Sequence, residues 1–170
     1  MEEVVKYDPN KAHYVVATAI VMKDGKYLIA KRSAREKAFP SRWTVPGGKL
    51  ELKEYSNKPA DTPAGQWYNA LENLVRREVR EEVGLEINNI RYLTSLVFVR
   101  PDKVPTLVVS LFAEHAEGEV TLCEDLTEHK WVSLEEAKGY DLIDGIYEEM
   151  EMVGRHLKGE KLGEWTASKK

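Results

Sequence analysis

Two neighbouring runs of β-branched and apolar residues constrain the fold of this chain most. HYVVATAIVM (13–22) has the composition of a strand, and KYLIAKRS (26–33) follows it directly after KDG (23–25). Two such runs joined by a short turn that ends in glycine predict a β-hairpin. The first two strands of the chain are therefore expected to pair with each other.

The remaining pattern mixes strands and helices without a regular alternation. A short strand is expected at 43–45, before Pro46-Gly47-Gly48, and longer strands at 90–99, 106–115 and 130–134. Thr62 as N-cap and Pro63 at the first helical position predict a helix that runs to Val83 and stops at Gly84. A last helix is expected within 143–158. This order favours an α+β fold, an α/β/α sandwich around a central mixed sheet.

Composition fits one soluble domain. The 170 residues are 42% hydrophobic and 32% charged, with a net charge of −4 and a pI near 5.7, which argues against a nucleic acid polymer as partner. No apolar run approaches the ~20 residues that a membrane span needs, and the N-terminus lacks a signal-peptide pattern. Cys123 is the single cysteine, so an intrachain disulfide is impossible. We expect a single cytoplasmic domain over 1–170 with a mobile tail at 160–170.

RREVREEVGL (76–85) concentrates three acidic residues, Glu78, Glu81 and Glu82, on roughly 100° of a helix surface. Like charges at this spacing cost a helix about 0.2–0.5 kcal/mol per pair, and the negative end of the helix dipole adds to the cost. A hard divalent cation such as Mg²⁺ would remove the repulsion, since the cluster offers oxygen ligands only. The alternative is a solvated face whose glutamates pair with Arg76, Arg77 and Arg80.

The preceding glycines favour the metal site. Gly48 is followed after five residues by Glu54, and R77-E78-V79-x-E81-E82-x-G84-L85 comes later. This pattern resembles the Nudix box of the MutT-like pyrophosphohydrolases, G-x5-E-x7-R-E-U-x-E-E-x-G-U, in which U is an apolar aliphatic residue. The flanking WTVPGGKLE and HKWVSLEEA are also similar to the family, so that the resemblance covers roughly residues 13–155.

One feature departs from the family. Where the family has seven residues between the glutamate and the arginine, this chain has 22, from Tyr55 to Arg76, which corresponds to an insertion of 15 residues at about 55–69. If the helix starts at Thr62-Pro63, the insertion adds about two turns to its N-terminus. Trp67, Leu71 and Leu74 would then form an apolar strip on the side of Glu78, while Val75, Val79 and Val83 face the core.

The resemblance implies a division of roles in the site. Glu78, Glu81 and Glu82, with the backbone carbonyl of Gly48, would hold Mg²⁺, for which Mn²⁺ could substitute. Glu54 and Arg77 would form a supporting pair, and a water activated by the metal would cleave a phosphoanhydride bond of a nucleoside diphosphate linked to another moiety. The catalytic set would thus comprise Glu54, Arg77, Glu81 and a further acid near Trp131.

Four further positions are candidates with local alternatives. Asp125 is preferred over Glu124 as the further acid, although both could be solvated loop residues. The resemblance also implies that Arg32 contacts substrate phosphate, which suits arginine geometry, although it could be a solvated strand end. Trp67 is expected to line the substrate pocket, or only to pin the insertion down. Pro101, about sixteen positions beyond the box, resembles the ADP-ribose pyrophosphatase subgroup, but it also suits a simple turn between strands.

The leading hypothesis is therefore a Mg²⁺-dependent Nudix hydrolase that acts on a small nucleotide substrate, as a monomer or homodimer. One alternative is a nucleotide-binding module that kept the fold without turnover. Another is an isomerase acting on a small diphosphate, which would need an added acid or thiol near the substrate carbons. The intact glutamate set argues against the first, and the position of Cys123 outside the box argues against the second.

Overall fold

In the computed structural model, which describes residue 4 and residues 6–168, a seven-stranded mixed sheet forms the centre of the protein. Five of its strands follow one another in the spatial order β3-β2-β1-β6-β5, while β4 pairs with β1 and β7 pairs with β2. The pairing of β1 with β6 is parallel and the other pairings are antiparallel. The strands are β1 (Tyr14–Lys23), β2 (Lys26–Arg32), β3 (Trp43–Thr44), β4 (Gly47–Lys49), β5 (Glu86–Val99), β6 (Pro105–Glu117) and β7 (Leu126–Val132).

Helices cover both faces of the sheet, as an α/β/α sandwich requires. They are α1 (Ala70–Val83), the short α2 (Leu134–Ala137) and α3 (Ile146–Leu157). Side chains of β1 alternate between the two faces: Ala17, Ala19 and Val21 join the core beneath α1, whereas Ile20 and Met22 join the core beneath α3. The predicted hairpin, fold class and second helix are confirmed.

The predicted start of α1 is wrong, because Thr62 to Gly65 form a turn instead of a first helical turn. Gly65 N–H donates to the Thr62 carbonyl at 3.0 Å, and Gly65 adopts a φ of +76°, which a right-handed helix cannot continue. The Thr62 hydroxyl contacts the Gln66 side chain and does not cap a helix. The insertion is therefore a loop, and α1 begins at Ala70.

The end and the buried side of α1 agree with the prediction. Gly84 adopts a left-handed φ of +71° and donates to the Arg80 carbonyl at 3.1 Å. Val75, Val79 and Val83 are fully buried. Leu74 is also buried in the core beneath α1, and Trp67 lies outside the helix, so the expected apolar strip continuous with Glu78 does not form.

The segment after α3 has no regular secondary structure but contacts the domain. Leu162 packs against the core beneath α3, and Trp165 Nε1–H donates to the Gly145 carbonyl at 3.3 Å. The mobility of residues 160–170 stays a prediction, and Lys169 and Lys170 lie outside the described residues. None of the helices found in residue 4 and residues 6–168 is long and apolar enough to cross a membrane.

Candidate active site

The glycines of β4 bring backbone and carboxylates together. Gly47 N–H donates to Glu82 Oε2 at 3.0 Å. At Gly48 a Cβ atom would overlap the Glu78 carboxylate, and at Gly47 it would overlap the backbone of β1. Only glycine allows β4 to lie this close to both β1 and α1. Gly48, whose carbonyl was predicted to be a further metal ligand, therefore lies directly against Glu78, while the ligand role itself stays a prediction.

Arg77 connects three glutamates on the surface of the site. Its Nη2 atom donates to Glu54 Oε1 and, at 2.7 Å, to Glu78 Oε1, while its Nη1 atom donates to Glu81 Oε2 at 2.8 Å. Such charge-assisted bonds fix the orientation of the carboxylates. The Glu54–Arg77 pair therefore forms even though 22 residues separate the two in sequence.

The carboxylates of the cluster differ in exposure. The side chains of Glu54 and Glu78 are 15% and 13% exposed, whereas that of Glu81 is 59% exposed. Arg80 pairs with Glu86 outside the cluster, at 2.6 Å, so it does not neutralise the site. The alternative was a solvated face whose glutamates pair with several arginines. In the described chain, Arg77 is the one arginine that forms ion pairs with these glutamates.

Burial makes the negative charge of the inner glutamates costly. It raises the pKa of Glu82 to about 7; the Gly47 N–H and Arg32 oppose this shift, and the charges of Glu78 and Asp125 add to it. Burial also raises the pKa of Glu78, against the favourable charge of Arg77. A bound cation would favour the ionised form of both groups.

The donor set fits a hard divalent cation. It consists of carboxylate oxygens and the backbone of a glycine strand, with no thiolate or imidazole among them. Among the described residues, no three acidic, histidine or cysteine side chains already converge as a metal site, and Arg77 donates hydrogen bonds to Glu78 and Glu81. Glu78, Glu81, Glu82 and the Gly48 carbonyl remain the groups that could hold the ion.

The segment before Asp125 is bonded to the end of α1, an arrangement that the sequence analysis did not predict. Thr121 N–H donates to the Val83 carbonyl at 3.0 Å and Cys123 N–H donates to the Glu82 carbonyl at 2.9 Å. These bonds satisfy carbonyls at the C-terminus of α1, which otherwise lack partners. They place Asp125 close enough for its charge to act on the pKa of Glu82.

Arg32 reaches the same region from the end of β2. Its Nη2 atom donates to Glu36 Oε2 at 2.9 Å and its Nε atom to the Ala38 carbonyl at 2.8 Å. Its charge acts to lower the pKa of Glu82. A role in contacting phosphate stays a prediction.

Trp67 contacts the insertion itself. Its ring lies 5.3 Å from that of Tyr55, centroid to centroid, and its Nε1–H donates to the Lys58 carbonyl at 3.1 Å. These contacts fold the loop 55–69 back toward Glu54. Whether Trp67 also contacts substrate stays a prediction.

A second buried carboxyl group was not anticipated. Glu149 of α3 is 4% exposed and accepts a hydrogen bond from Ser110 Oγ at 3.0 Å, while Thr18 Oγ1 lies 3.4 Å from the same hydroxyl. Glu149 occupies the helical stripe of Ile146, Met150 and Val153. An acidic residue on that stripe was the available signal.

Comparison with known proteins agrees with this geometry. The family model described as NUDIX domain matches residues 12–151. Nucleoside triphosphatase NudI of Klebsiella pneumoniae (strain 342) is 25% identical over 138 residues, which cover 75% of this chain and 86% of that protein. NudI of Escherichia coli (strain K12) is also 25% identical over 138 residues, which cover 75% of this chain and 86% of that protein.

Solved structures share the fold at low sequence identity. The MutT NUDIX hydrolase from Burkholderia pseudomallei is 20% identical with a TM-score of 0.66, covering 84% of this chain and 99% of that one. The NUDIX domain of Shewanella oneidensis NrtR complexed with ADP ribose is 19% identical with a TM-score of 0.62, covering 89% and 92%. Because the matching family model spans most of the chain and its motif residues converge at one site, the chain belongs to the Nudix family.

Proposed function

We propose that this protein is a Nudix pyrophosphohydrolase that cleaves a phosphoanhydride bond of a nucleoside di- or triphosphate derivative. The observation that carries the proposal is the convergence of Glu78 and Glu82 on the glycine strand β4, with Arg77 held by Glu54 beside them. The similarity to NudI proteins supports a nucleoside triphosphate as the first substrate to test.

Each residue of the site has a role that its contacts support. Glu78 and Glu82 supply carboxylate ligands at fixed positions, since Arg77 and the Gly47 N–H orient them. Glu54 fixes Arg77 and thereby the ligand arrangement. A bound divalent ion would neutralise the diphosphate and lower the pKa of a coordinated water.

Asp125 and Arg32 complete the proposed site. Asp125 is the acid that would accept a proton from the attacking water, because it reaches the same region from outside the Nudix box. Arg32 would bind phosphate oxygens once its guanidinium leaves Glu36. An alternative function is nucleotide binding without turnover, for which the NrtR domain with ADP ribose offers a parallel in fold only.

A panel assay distinguishes the proposals. Phosphate or nucleotide release from dNTPs, NTPs, ADP-ribose and dinucleoside polyphosphates would be measured with Mg²⁺, with Mn²⁺ and with excess EDTA. We expect turnover of at least one nucleoside polyphosphate that EDTA abolishes. Tight nucleotide binding with no product in any condition would support the binding module instead, and full turnover in EDTA would refute the metal assignment.

A further inference from the structure

The outer half of β5, residues 94–99, forms an unprotected edge of the central sheet. Within residue 4 and residues 6–168, β6 alone pairs with β5, so the opposite side of β5 presents unpaired backbone N–H and C=O groups. An exposed strand edge is a template for pairing with another strand. Soluble proteins usually block such edges with bulges, charges or proline.

In β5 these protective features lie before and after residues 94–99 and not within them. The pairing of β5 with β6 is irregular between Glu86 and Ile87, between Asn88 and Arg91, and between Tyr92 and Thr94, but it is regular from Thr94 to Val99. The sequence TSLVFV carries no charge and no proline. Arg100, which follows, turns back onto its own chain, with its guanidinium 5.2 Å from the Tyr14 ring centroid.

Both faces of the outer half are apolar and exposed. Val97 and Val99 are 68% and 66% exposed on one face, and Leu96 and Phe98 are 39% and 38% exposed on the other. Their neighbours on β6, Leu107 and Val108, are half-buried, so the apolar surface continues into the sheet. A contiguous exposed apolar surface of this kind marks an interaction site.

We propose that the outer half of β5 pairs antiparallel with the same strand of a second copy of the chain, around a two-fold axis at Val97. This register sets Val97 opposite Val97 of the second copy, Leu96 opposite Phe98, and Ser95 opposite Val99. Thr94 then faces Arg100, so no like charges oppose each other. A two-fold axis between Ser95 and Leu96 would instead set Arg91 opposite Arg100, which is unfavourable.

A second copy fits this surface better than an unrelated strand. The two-fold axis makes the interface isologous, so each apolar residue of one strand meets an apolar or small neutral residue of the other. Pairing also joins the two sheets into one continuous sheet and removes both open edges. The inference does not depend on the proposed function, because it uses no residue of the Nudix site.

Sedimentation analysis over a concentration series tests the proposal. We expect the parent protein to form a dimer and Val97→Lys to be a monomer, since two lysines would face each other at the axis. Leu157→Lys is the matched control, because Leu157 is also apolar and 57% exposed but lies at the end of α3, and it should remain dimeric. A monomeric parent protein, or a Val97→Lys protein that stays dimeric, would overturn the proposal.

Cysteine cross-linking tests the register and does not depend on Val97→Lys folding. In a Cys123→Ala background, Val97→Cys should form a disulfide-linked dimer on mild oxidation, since directly opposed Cβ atoms lie about 4.5–5.5 Å apart. Ser95→Cys alone should not cross-link, whereas Ser95→Cys with Val99→Cys should. Cross-linking of Ser95→Cys alone, or none in any variant, would contradict the axis at Val97.

Discussion

At the scale of single residues, two carboxyl groups have pKa values raised to about 7, the half-buried Glu82 of α1 and the buried Glu149 of α3. They differ in their surroundings. Glu82 lies among other acidic groups and a glycine N–H, which suits a ligand for a cation. Glu149 has the Ser110 hydroxyl as its partner, which suits a protonated, structural carboxyl.

Substitution Glu82→Gln tests the ligand assignment. We expect kcat to fall by at least about 10²-fold, because a lost anionic ligand weakens stabilisation of the charged transition state. The fold should persist, since a glutamine side chain can still accept the Gly47 N–H bond. Without metal, stability should be equal or higher, because one repulsive buried charge is gone.

The measurement for Glu82→Gln is steady-state turnover combined with urea unfolding in EDTA. Glu72→Gln is the matched control, since Glu72 lies in the first turn of the same helix and is not one of the defined residues of the Nudix pattern. A folded Glu82→Gln protein with near-parent kcat would show that Glu82 is not a ligand.

We expect the raised pKa of Glu149 to make the free energy of unfolding depend on pH. Burial raises the pKa of Glu149 to about 7, the Ser110 hydroxyl opposes the shift and Glu148 adds to it. As pH rises, the carboxyl group of Glu149 therefore keeps its proton to a higher pH in the folded state than in the unfolded chain. The free energy of unfolding should fall as pH rises from the ordinary pKa of 4.5 to about 7, by about 3 kcal/mol from this group.

Glu149→Gln should remove that part of the slope and stabilise the protein at pH 8 relative to the parent. Urea unfolding at a series of pH values between 4 and 8, in EDTA, measures the difference between variant and parent, which cancels the contribution of Glu82. Glu151→Gln, on the same helix, should keep the parent slope. An unchanged slope in Glu149→Gln would mean that the pKa of Glu149 is the same in the folded and the unfolded state.

At the scale of elements, the loop 55–69 is the predicted insertion into the Nudix pattern. It returns to Glu54 through the Tyr55–Trp67 contact and leaves the Glu54–Arg77 pair intact. The loop thus lies next to Glu54, and we expect it to form a wall of the substrate pocket without altering the proposed metal ligands.

Removing residues 55–69, which restores the seven-residue gap, and separately Trp67→Ala should each shift KM or substrate preference. Metal dependence should remain, since neither change touches Glu78, Glu81 or Glu82. Tyr68→Ala is the control for Trp67→Ala, because Tyr68 is adjacent and 63% exposed. If both altered proteins fold and keep the parent KM and substrate profile, the loop is not part of the pocket.

At the scale of the whole molecule, the proposed metal site would join α1, β4 and the 121–125 segment, so that metal binding would be linked to global stability. At a free Mg²⁺ concentration of 100 times Kd, binding contributes about 2.7 kcal/mol and should raise Tm by roughly 5–10 °C. The double variant Glu78→Gln/Glu82→Gln should lose this rise, whereas Glu72→Gln should keep it. Thermal scans with Mg²⁺ and with EDTA give the comparison, and an equal rise in the double variant would place the ion elsewhere.

The sequence by itself determined the features that depend on neighbours along the chain. The hairpin of β1 and β2 follows from two apolar runs and Asp24-Gly25, both with positive φ, and the end of α1 follows from Gly84. The core side of α1 follows from the spacing of Val75, Val79 and Val83. The Nudix pattern predicted the family because each of its residue types occurs in the expected order.

Only the tertiary structure decided the features that depend on residues far apart in sequence. Thr62-Pro63 is locally typical of a helix start, but Gly65 and the contacts of the loop form a turn there instead. Tertiary contacts thus outweigh local helix propensity at this position. The approach of Gly48 to Glu78, the bonds from Thr121 and Cys123 to the end of α1, and the burial of Glu149 against Ser110 all arise from packing between elements. Burial and long-range contacts set which of the clustered carboxylates is costly to ionise, and no sequence window contains that information.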